Sequence, residues 1–559
     1  MINKKASVLL SLSSALVLAA CGGSGNTADS SAASGTASSE SNATASGEQV
    51  LNLIESAEIP SMDSSQATDT VAFTVLSNVN EGLYRQTPDG SLELGMAAEE
   101  PEVSEDGLTY TFKIREDANW SNGEPVTAED FVYAWRKLVD PAAAASYSYM
   151  MDGVVLNATE IMAGEMDPEE LGVTAVDDKT LEVKLATAVP YFKDLTTLAM
   201  FFPQNQAFVE EQGDNYALSS DALLYNGPFL LNDWDAAGLS WNYTKNEDYW
   251  DADTVQLEQI NVDVVKETST ALNLYDTGEI DRMTLTGEYV SQRAGDPEVH
   301  TMPSSSVFYL KFNQQKEDTP LTNENIRKAL AMAFDKQAYA DVVLQNGSIP
   351  ANGLVPQGLA QDPATGEDYR EQNGDLLTYD VEAAQEYWEQ GLEELGVDSI
   401  TLELLSDDTE NAKRSSEFLQ SQLQTNLPGL TVTLRNVPFK VRLEADDSGD
   451  YDIQLAGWGA DYADPINFLE LFQTDNGNNK SGYSNEEYDA LIDEARGMVD
   501  DLEGRWENLL QAEEILMEEA GIAPIYQRAS AVLEKDYVND IAEYLVGADY
   551  GYKWASVSK

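Results

Sequence analysis

Trp120-Ser121-Asn122-Gly123-Glu124-Pro125-Val126-Thr127-Ala128-Glu129-Asp130-Phe131-Val132-Tyr133-Ala134-Trp135-Arg136 reads as a loop that feeds a capped helix. Asn122-Gly123 and Pro125 are turn chemistry, because glycine and proline interrupt regular structure. Thr127 stands where an N-cap belongs, with an acid, Asp130, three residues on. Phe131, Ala134, Trp135 and Leu138 then recur at helical spacing and form one apolar face. Just upstream, Gly107-Leu108-Thr109-Tyr110-Thr111-Phe112-Lys113-Ile114-Arg115 is a turn followed by alternation, hence a strand.

The same kind of signal extends in both directions. Val50-Leu51-Asn52-Leu53-Ile54 is a first, largely buried strand. Residues 71–79 look helical and lead to Asn80-Glu81-Gly82-Leu83-Tyr84, a turn with a following strand. Leu181-Glu182-Val183-Lys184-Leu185 alternates as a half-exposed strand, and Asn226-Gly227-Pro228-Phe229 is a tight turn. Further strands are expected at 308–312, 400–405 and 430–434, with helices at about 323–344, 380–395 and 410–426. Ser484 with Glu487 forms a capping box ahead of one more amphipathic helix. Strands alternating with helices argue an α/β layered protein, and 559 residues exceed what one core fills, so two or three structural units are expected.

Composition narrows the function classes. With 42% apolar and 9% aromatic residues the chain is globular. Its 99 Asp+Glu against 32 Lys+Arg give a net charge of −67, which excludes a nucleic-acid partner, because no positive field displaces counterions from phosphates. Such acidity is either general solvation or selection for cationic ligands. At the N-terminus, Lys4 and Lys5 precede an apolar run over 6–20, too short for the roughly 20 residues of a membrane span. A basic start, a short apolar core and small residues before Cys21 describe an export signal over 1–20. Residues 22–47 hold no large apolar side chain, so 21–47 is expected to be a flexible tether of roughly 25–30 Å reach.

Catalytic machinery is sparse. The chain has one histidine, His300, whose neighbours suggest no site, and one cysteine, Cys21. It lacks Gly-x-Ser-x-Gly, Gly-x-Gly-x-x-Gly and a phosphate loop. No enzyme activity, cofactor or metal is expected. Asp407-Asp408 and Asp446-Asp447 are read as solvated surface pairs rather than a glycosidase acid and base, and Asp446-Asp447-Ser448-Gly449-Asp450 lacks the spacing of a calcium loop. What stands out is Tyr451-Asp452-Ile453-Gln454-Leu455-Ala456-Gly457-Trp458-Gly459-Ala460-Asp461-Tyr462-Ala463-Asp464-Pro465. An alternating strand ends in glycines and presents an aromatic and an acid, a pattern that suits a cation-holding edge with Trp458 and Tyr462 as walls. By its residues alone, Asp461 is equally a surface turn residue.

Residues 120–136 resemble the signature region of bacterial family 5 extracellular solute-binding proteins, the oligopeptide-binding (OppA-like) family of ABC transporters. The resemblance extends to 107–115, Asn226-Gly227-Pro228-Phe229, Lys245-Asn246 with Tyr249-Trp250-Asp251, Pro320-Leu321 with 326–336, and Gly482-Tyr483-Ser484-Asn485 with Tyr488-Asp489. The matches run in register from about residue 50 to the end. They imply a two-lobed periplasmic-binding-protein type II fold with the additional third domain of the large peptide-binding class. Lobe one would comprise 48–84, 222–305 and 526–559, the extra domain 85–221, and lobe two 306–525.

Leu18-Ala19-Ala20-Cys21 resembles a lipobox, which implies cleavage before Cys21, diacylation of its thiol, and a monomer held by lipid alone at the outer face of a Gram-positive cytoplasmic membrane. Trp458-Gly459-Ala460-Asp461-Tyr462 matches the family segment whose acid receives a peptide's α-ammonium group, so the resemblance gives Asp461 that role. Ala456, Gly457 and Gly459 accompany it, because the family binds peptide main chain as an added β-strand. The turn at 80–84 is a weaker candidate for the opposing wall. Where short-peptide binders of the family carry an arginine for the ligand's carboxylate, the chain has Leu455, with Lys440 and Arg442 as substitutes or plain surface cations. The expected partners are oligopeptides and ABC permease subunits. The rivals are a dipeptide, signalling peptide, nickel complex or sugar on the same fold, a surface hydrolase, and an adhesin or chaperone.

Overall fold

The computed structural model describes residues 48–189, 191–474, 476–498 and 501–559. The export signal, the lipobox around Cys21 and the tether lie outside these described residues. Helix α1 (Thr70–Val79) is capped by Asp69, whose side chain accepts the Ala72 N–H at 2.9 Å. Helix α2 (Ala128–Val139) follows Thr127 as expected. One oxygen of Asp130 accepts both the Thr127 backbone N–H, at 2.8 Å, and the Trp120 indole N–H, at 3.1 Å. A single carboxylate therefore fastens the loop to the start of the helix. Trp120 and Trp135 are both fully buried beside it, and the Trp135 indole donates to the Phe201 carbonyl at 2.9 Å.

Three larger sheets organise the chain. The first runs from strand β1 (Val50–Glu55) through Gln259–Val264 and Ser240–Lys245 to Phe229–Asn232, with β1 parallel to its neighbour. The second, of four strands, joins Glu102–Val103, Thr109–Lys113, Thr180–Lys184 and Val173–Asp177. The third contains the long strands β2 (Val299–Phe312), β3 (Ile400–Asp407), β4 (Ile453–Gly459) and β5 (Ile522–Glu534). Its order is Arg282–Leu285, β5, β2, β4, β3, Leu430–Val437. Residues 299–303 of β2 pair with 529–533 of β5, while 307–311 pair with 522–527, and the register shifts between Pro303 and Val307. Two antiparallel strands thus run continuously through both halves of this sheet, with an irregular joint at Ser304-Ser305-Ser306. This mixed α/β architecture agrees with the expected fold class.

Three local expectations need correction. The helix expected over 323–344 is broken: Glu324–Met332 ends, Asp335 recaps the chain by accepting the Ala338 N–H at 2.9 Å, and Tyr339–Leu344 follows as a wider turn. Buried Lys336 pins the break by donating to the carbonyls of Ala351 and Leu377, which only folding brings near. The helix Glu486–Gly497 is capped by Asn485, not Ser484, because Asn485 accepts the N–H groups of Glu487 and Tyr488 at 2.9 and 3.0 Å. Asp407 and Asp446 are not solvated surface acids. They accept from Arg442 and Lys311, each at 2.8 Å, and face an internal cavity.

Asp130→Ala strands two buried donors, and it should lower the unfolding free energy by about 1–3 kcal/mol. Urea unfolding followed by tryptophan fluorescence tests this; an unchanged midpoint would show that the tie contributes nothing.

Candidate functional site

Strand β4 carries the alternation read from the sequence, but its two edges differ. On one side Ile453–Gly459 pairs with β2 along its whole length. On the other, β3 pairs with Ile453 and Gln454 only. From Leu455 to Gly459 the second edge has no β partner among the described residues, and it borders a cavity of about 280 Å³. Ala456, Gly457, Trp458, Gly459 and Asp461 all line this cavity. Gly457 is required by packing: a Cβ there would come within 2.7 Å of the Phe308 ring on β2. Its backbone remains exposed to the cavity.

Asp461 follows the end of β4 and is 4% exposed. The turn through Pro465 starts a short helix, Ile466–Leu469, whose Asn467 clamps the acid from both sides. The Asn467 amide donates to Asp461 at 3.2 Å, and its carbonyl accepts the Asp461 backbone N–H at 2.9 Å. The Tyr147 hydroxyl donates to the other carboxylate oxygen at 3.4 Å. Tyr147 also stacks on Trp458, with centroids 5.8 Å apart and planes 18° apart. Sequence reasoning missed Tyr147. It lies 314 residues from Asp461, in a short Ser-Tyr stretch with no motif of its own.

Asp461 forms no ion pair among the described salt bridges. Burial pushes its carboxyl up to about 7; the Asn467 hydrogen bond opposes this, the charge of Glu470 adds to it, and Tyr147 opposes it. A small cavity of about 40 Å³, walled by Phe73, Met200 and Phe202 and by the paired Glu81 and Arg85 among others, lies against the same acid. The group is therefore poised to receive a cation in a place shielded from water.

Other expected residues are placed differently. Tyr462 does not line the large cavity; it stacks on Tyr191 at 5.0 Å and donates to Glu470 at 3.1 Å. Residues 80–84 do not line the large cavity; Glu81, Gly82 and Tyr84 border the small one that also touches Asp461. Glu81 is fully engaged with Arg85, Tyr249 and Trp250, at 2.6, 2.6 and 2.7 Å. The opposing wall is instead built by the start of α1, from Thr68 to Phe73, and by Ser146 and Tyr147. Arg442 is buried against Asp407, whereas Lys440 is half-buried and its backbone N–H bonds Glu58. Leu455 lies where the cavity meets a second one of about 310 Å³, the two sharing Ser56, Phe308, Asp407, Thr409 and Arg528.

Asp69, at the head of α1, is likewise pushed up to about 7, by burial, against the Ala72 and Val71 backbone N–H groups and Arg442. An acid whose folded pKa lies above its unfolded value stabilises the fold fully below the unfolded pKa, about 4, and that contribution is lost as pH rises through the folded value. For Asp461 and Asp69 the window is therefore about 4 to 7. The ligand-free protein should gain thermal stability as pH falls from about 7.5 to about 5, and Asp461→Asn should flatten part of that slope. Thermal unfolding across this range checks both; an unaltered slope in the variant would exclude Asp461 as a contributor.

Comparisons with known proteins identify the family. The profile of bacterial extracellular solute-binding proteins, family 5 Middle, matches residues 92–480. The chain is 34% identical over 514 residues to the dipeptide-binding protein of Lactococcus lactis, covering 89% of this chain and 93% of that protein. The structure of Listeria monocytogenes OppA bound to peptide superposes with a TM-score of 0.89 at 51% identity, over 92% of this chain and 100% of that one. The Escherichia coli murein tripeptide binding protein MppA superposes at 0.82, with 28% identity over 92% and 100% of the two chains. The unliganded open form of MppA reaches only 0.57, with the same identity over 92% and 98%. Over the whole chain, the structure is thus more similar to the first of these two MppA structures than to the open form. By sequence profile, relatives and fold, the chain belongs to the bacterial extracellular solute-binding proteins of family 5.

Proposed function

We propose that this protein captures oligopeptides outside the cytoplasmic membrane and delivers them to the permease subunits of an ABC transporter. The observation that carries the reading is Asp461: a buried carboxylate without a cation among the described residues, at the end of a strand whose free edge faces a cavity. A peptide lying along residues 455–459 would add a strand to β4 through its main chain, and its α-ammonium group would supply the charge that Asp461 lacks. Recognition then rests on groups that every peptide carries. The peptide-bound Listeria relative supports this cargo.

An oligopeptide is favoured over a dipeptide because the cavity continues past Leu455 into a second chamber of comparable size. The division into lobe one (48–84, 222–305, 526–559), extra domain (85–221) and lobe two (306–525) is retained as part of the proposal. The joint in β2 at 304–306 and its partner strand β5 supply a hinge at the two crossings, about which closure would bury the ligand. Lipid attachment at Cys21, with a tether over 22–47, would hold the body near its permease and raise its local concentration there. Among the described residues no helix is long and apolar enough to cross a membrane.

Asp461→Asn should weaken binding of free-amine peptides by at least about tenfold, or about 1.4 kcal/mol. N-acetylation of the peptide should weaken wild-type binding to a similar degree. Calorimetric titration tests both; equal affinity for acetylated and free peptides would remove the anchoring role. For the anchor, Cys21→Ala should move the protein from the membrane fraction to the soluble fraction of its host, and continued sedimentation with membranes would refute lipidation as the attachment.

A further inference from the structure

The two chambers are lined by cations and acids in nearly equal number, yet their pairing is one-sided. Among the described residues every lining cation already has an acid: Lys311 with Asp446, Arg442 with Asp407, Lys480 with Asp447, and Arg528 with Asp549. In the second chamber, Lys266 holds Glu58 and Asp408, and Arg282 holds Glu534 and Glu543. Among the described residues, no lining cation is without an acid of its own. Three lining acids, by contrast, have no ion-pair partner among the described salt bridges: Asp461 and Asp69 in the first chamber and Glu55 in the second.

Asp69 is the informative one. It is 7% exposed, and only one of its oxygens is used, as the cap of α1. The other, Oδ2, is buried without a hydrogen-bond partner. Capping alone does not explain an aspartate here, since asparagine caps as well and brings no charge to bury. The group lies close to Asp461: the charges of both bear on the Tyr147 hydroxyl, and the neighbouring Thr70 would touch a Cβ placed on Gly459 at 3.8 Å. The chamber that would take a peptide's ammonium thus has a second carboxylate oxygen on the opposite wall. One α-ammonium group on Asp461 would leave Asp69 with the charge of Arg442, already paired to Asp407, and no cation of its own among the described salt bridges.

We propose that Asp69 is a second cation acceptor of this chamber, and that it selects peptides carrying a lysine or arginine side chain at their first or second position. The assignment rests on the peptide-binding reading above. It is a matter of specificity: the ammonium on Asp461 is common to all peptides, whereas the charge beside it belongs to some.

The test is calorimetric titration of the purified protein with four tetrapeptides. Lys-Ala-Ala-Ala is compared with norleucine-Ala-Ala-Ala, and Ala-Lys-Ala-Ala with Ala-norleucine-Ala-Ala, because norleucine keeps the aliphatic stem and removes the charge. The wild type should prefer lysine by about tenfold or more in one of the two pairs. Asp69→Asn, which keeps the cap, should reduce that preference to about threefold or less while leaving affinity for the norleucine peptides within about threefold. Retention of the full preference in Asp69→Asn would overturn the assignment. So would a wild type that binds lysine and norleucine peptides equally, or a variant that loses affinity for both alike. If the wild type binds none of the four, the peptide reading itself fails, and the assignment falls with it.

Discussion

Asp461 is taken out of water with hydrogen-bond donors from Asn467 and Tyr147 but, among the described residues, no cation, and neutral donors recover only part of what a carboxylate loses on burial. The rest of the site can be understood from that constraint. Asn467 is held at the head of its short helix so that its amide meets the acid from both sides, and Tyr147 reaches it from a distant segment while stacking on Trp458. Each contact orients the carboxylate; none neutralises it. A ligand ammonium would do what the protein does not, and the site would then be stabilised most when walls from different parts of the chain close around the charge pair. On the proposed two-lobed reading, a population shift toward closure would follow from differential affinity alone.

The distribution of charge fits the same picture. The chain has a threefold excess of acids over cations, yet six cations line the two chambers, and each is matched to an acid. Had these cations been absent, Asp407, Asp446, Asp447 and Asp549 would crowd the walls with uncompensated charge. Pairing them leaves a near-neutral interior in which the remaining acids are distinct sites. Outside, the acidic surface favours the approach of cationic ligands over anionic ones.

The carboxyl end of a ligand meets a different environment. Leu455 stands at the junction of the chambers, and Arg442, the cation nearest in sequence that could have replaced an arginine there, is committed to Asp407. On the proposed reading, and with every lining cation among the described residues paired to an acid, ligand length would be set by the room available in the second chamber. The geometry suits a main-chain binder that counts from the amino end.

Local chemistry was legible in the sequence wherever neighbours along the chain decide it. Thr127 and Asp130 define the start of α2, and Asn122-Gly123 the turn before it, because caps and turns are completed within a few residues. The alternation up to Gly457-Trp458-Gly459 made a strand whatever it packed against. Even there, competition between near neighbours misled: Asn485 displaced Ser484 as a cap, and Asp335 with buried Lys336 broke a helix that periodicity would have continued. The motif around Asp461 marked the acid, though not its surroundings. That Asp461 loses its water, that β4 keeps one edge open past Gln454, that Tyr462 turns away, and that Asp69 faces the same chamber were decided only by tertiary structure. Burial and pairing are relations between segments hundreds of residues apart, and no local pattern encodes which of 99 acids will be left without a partner.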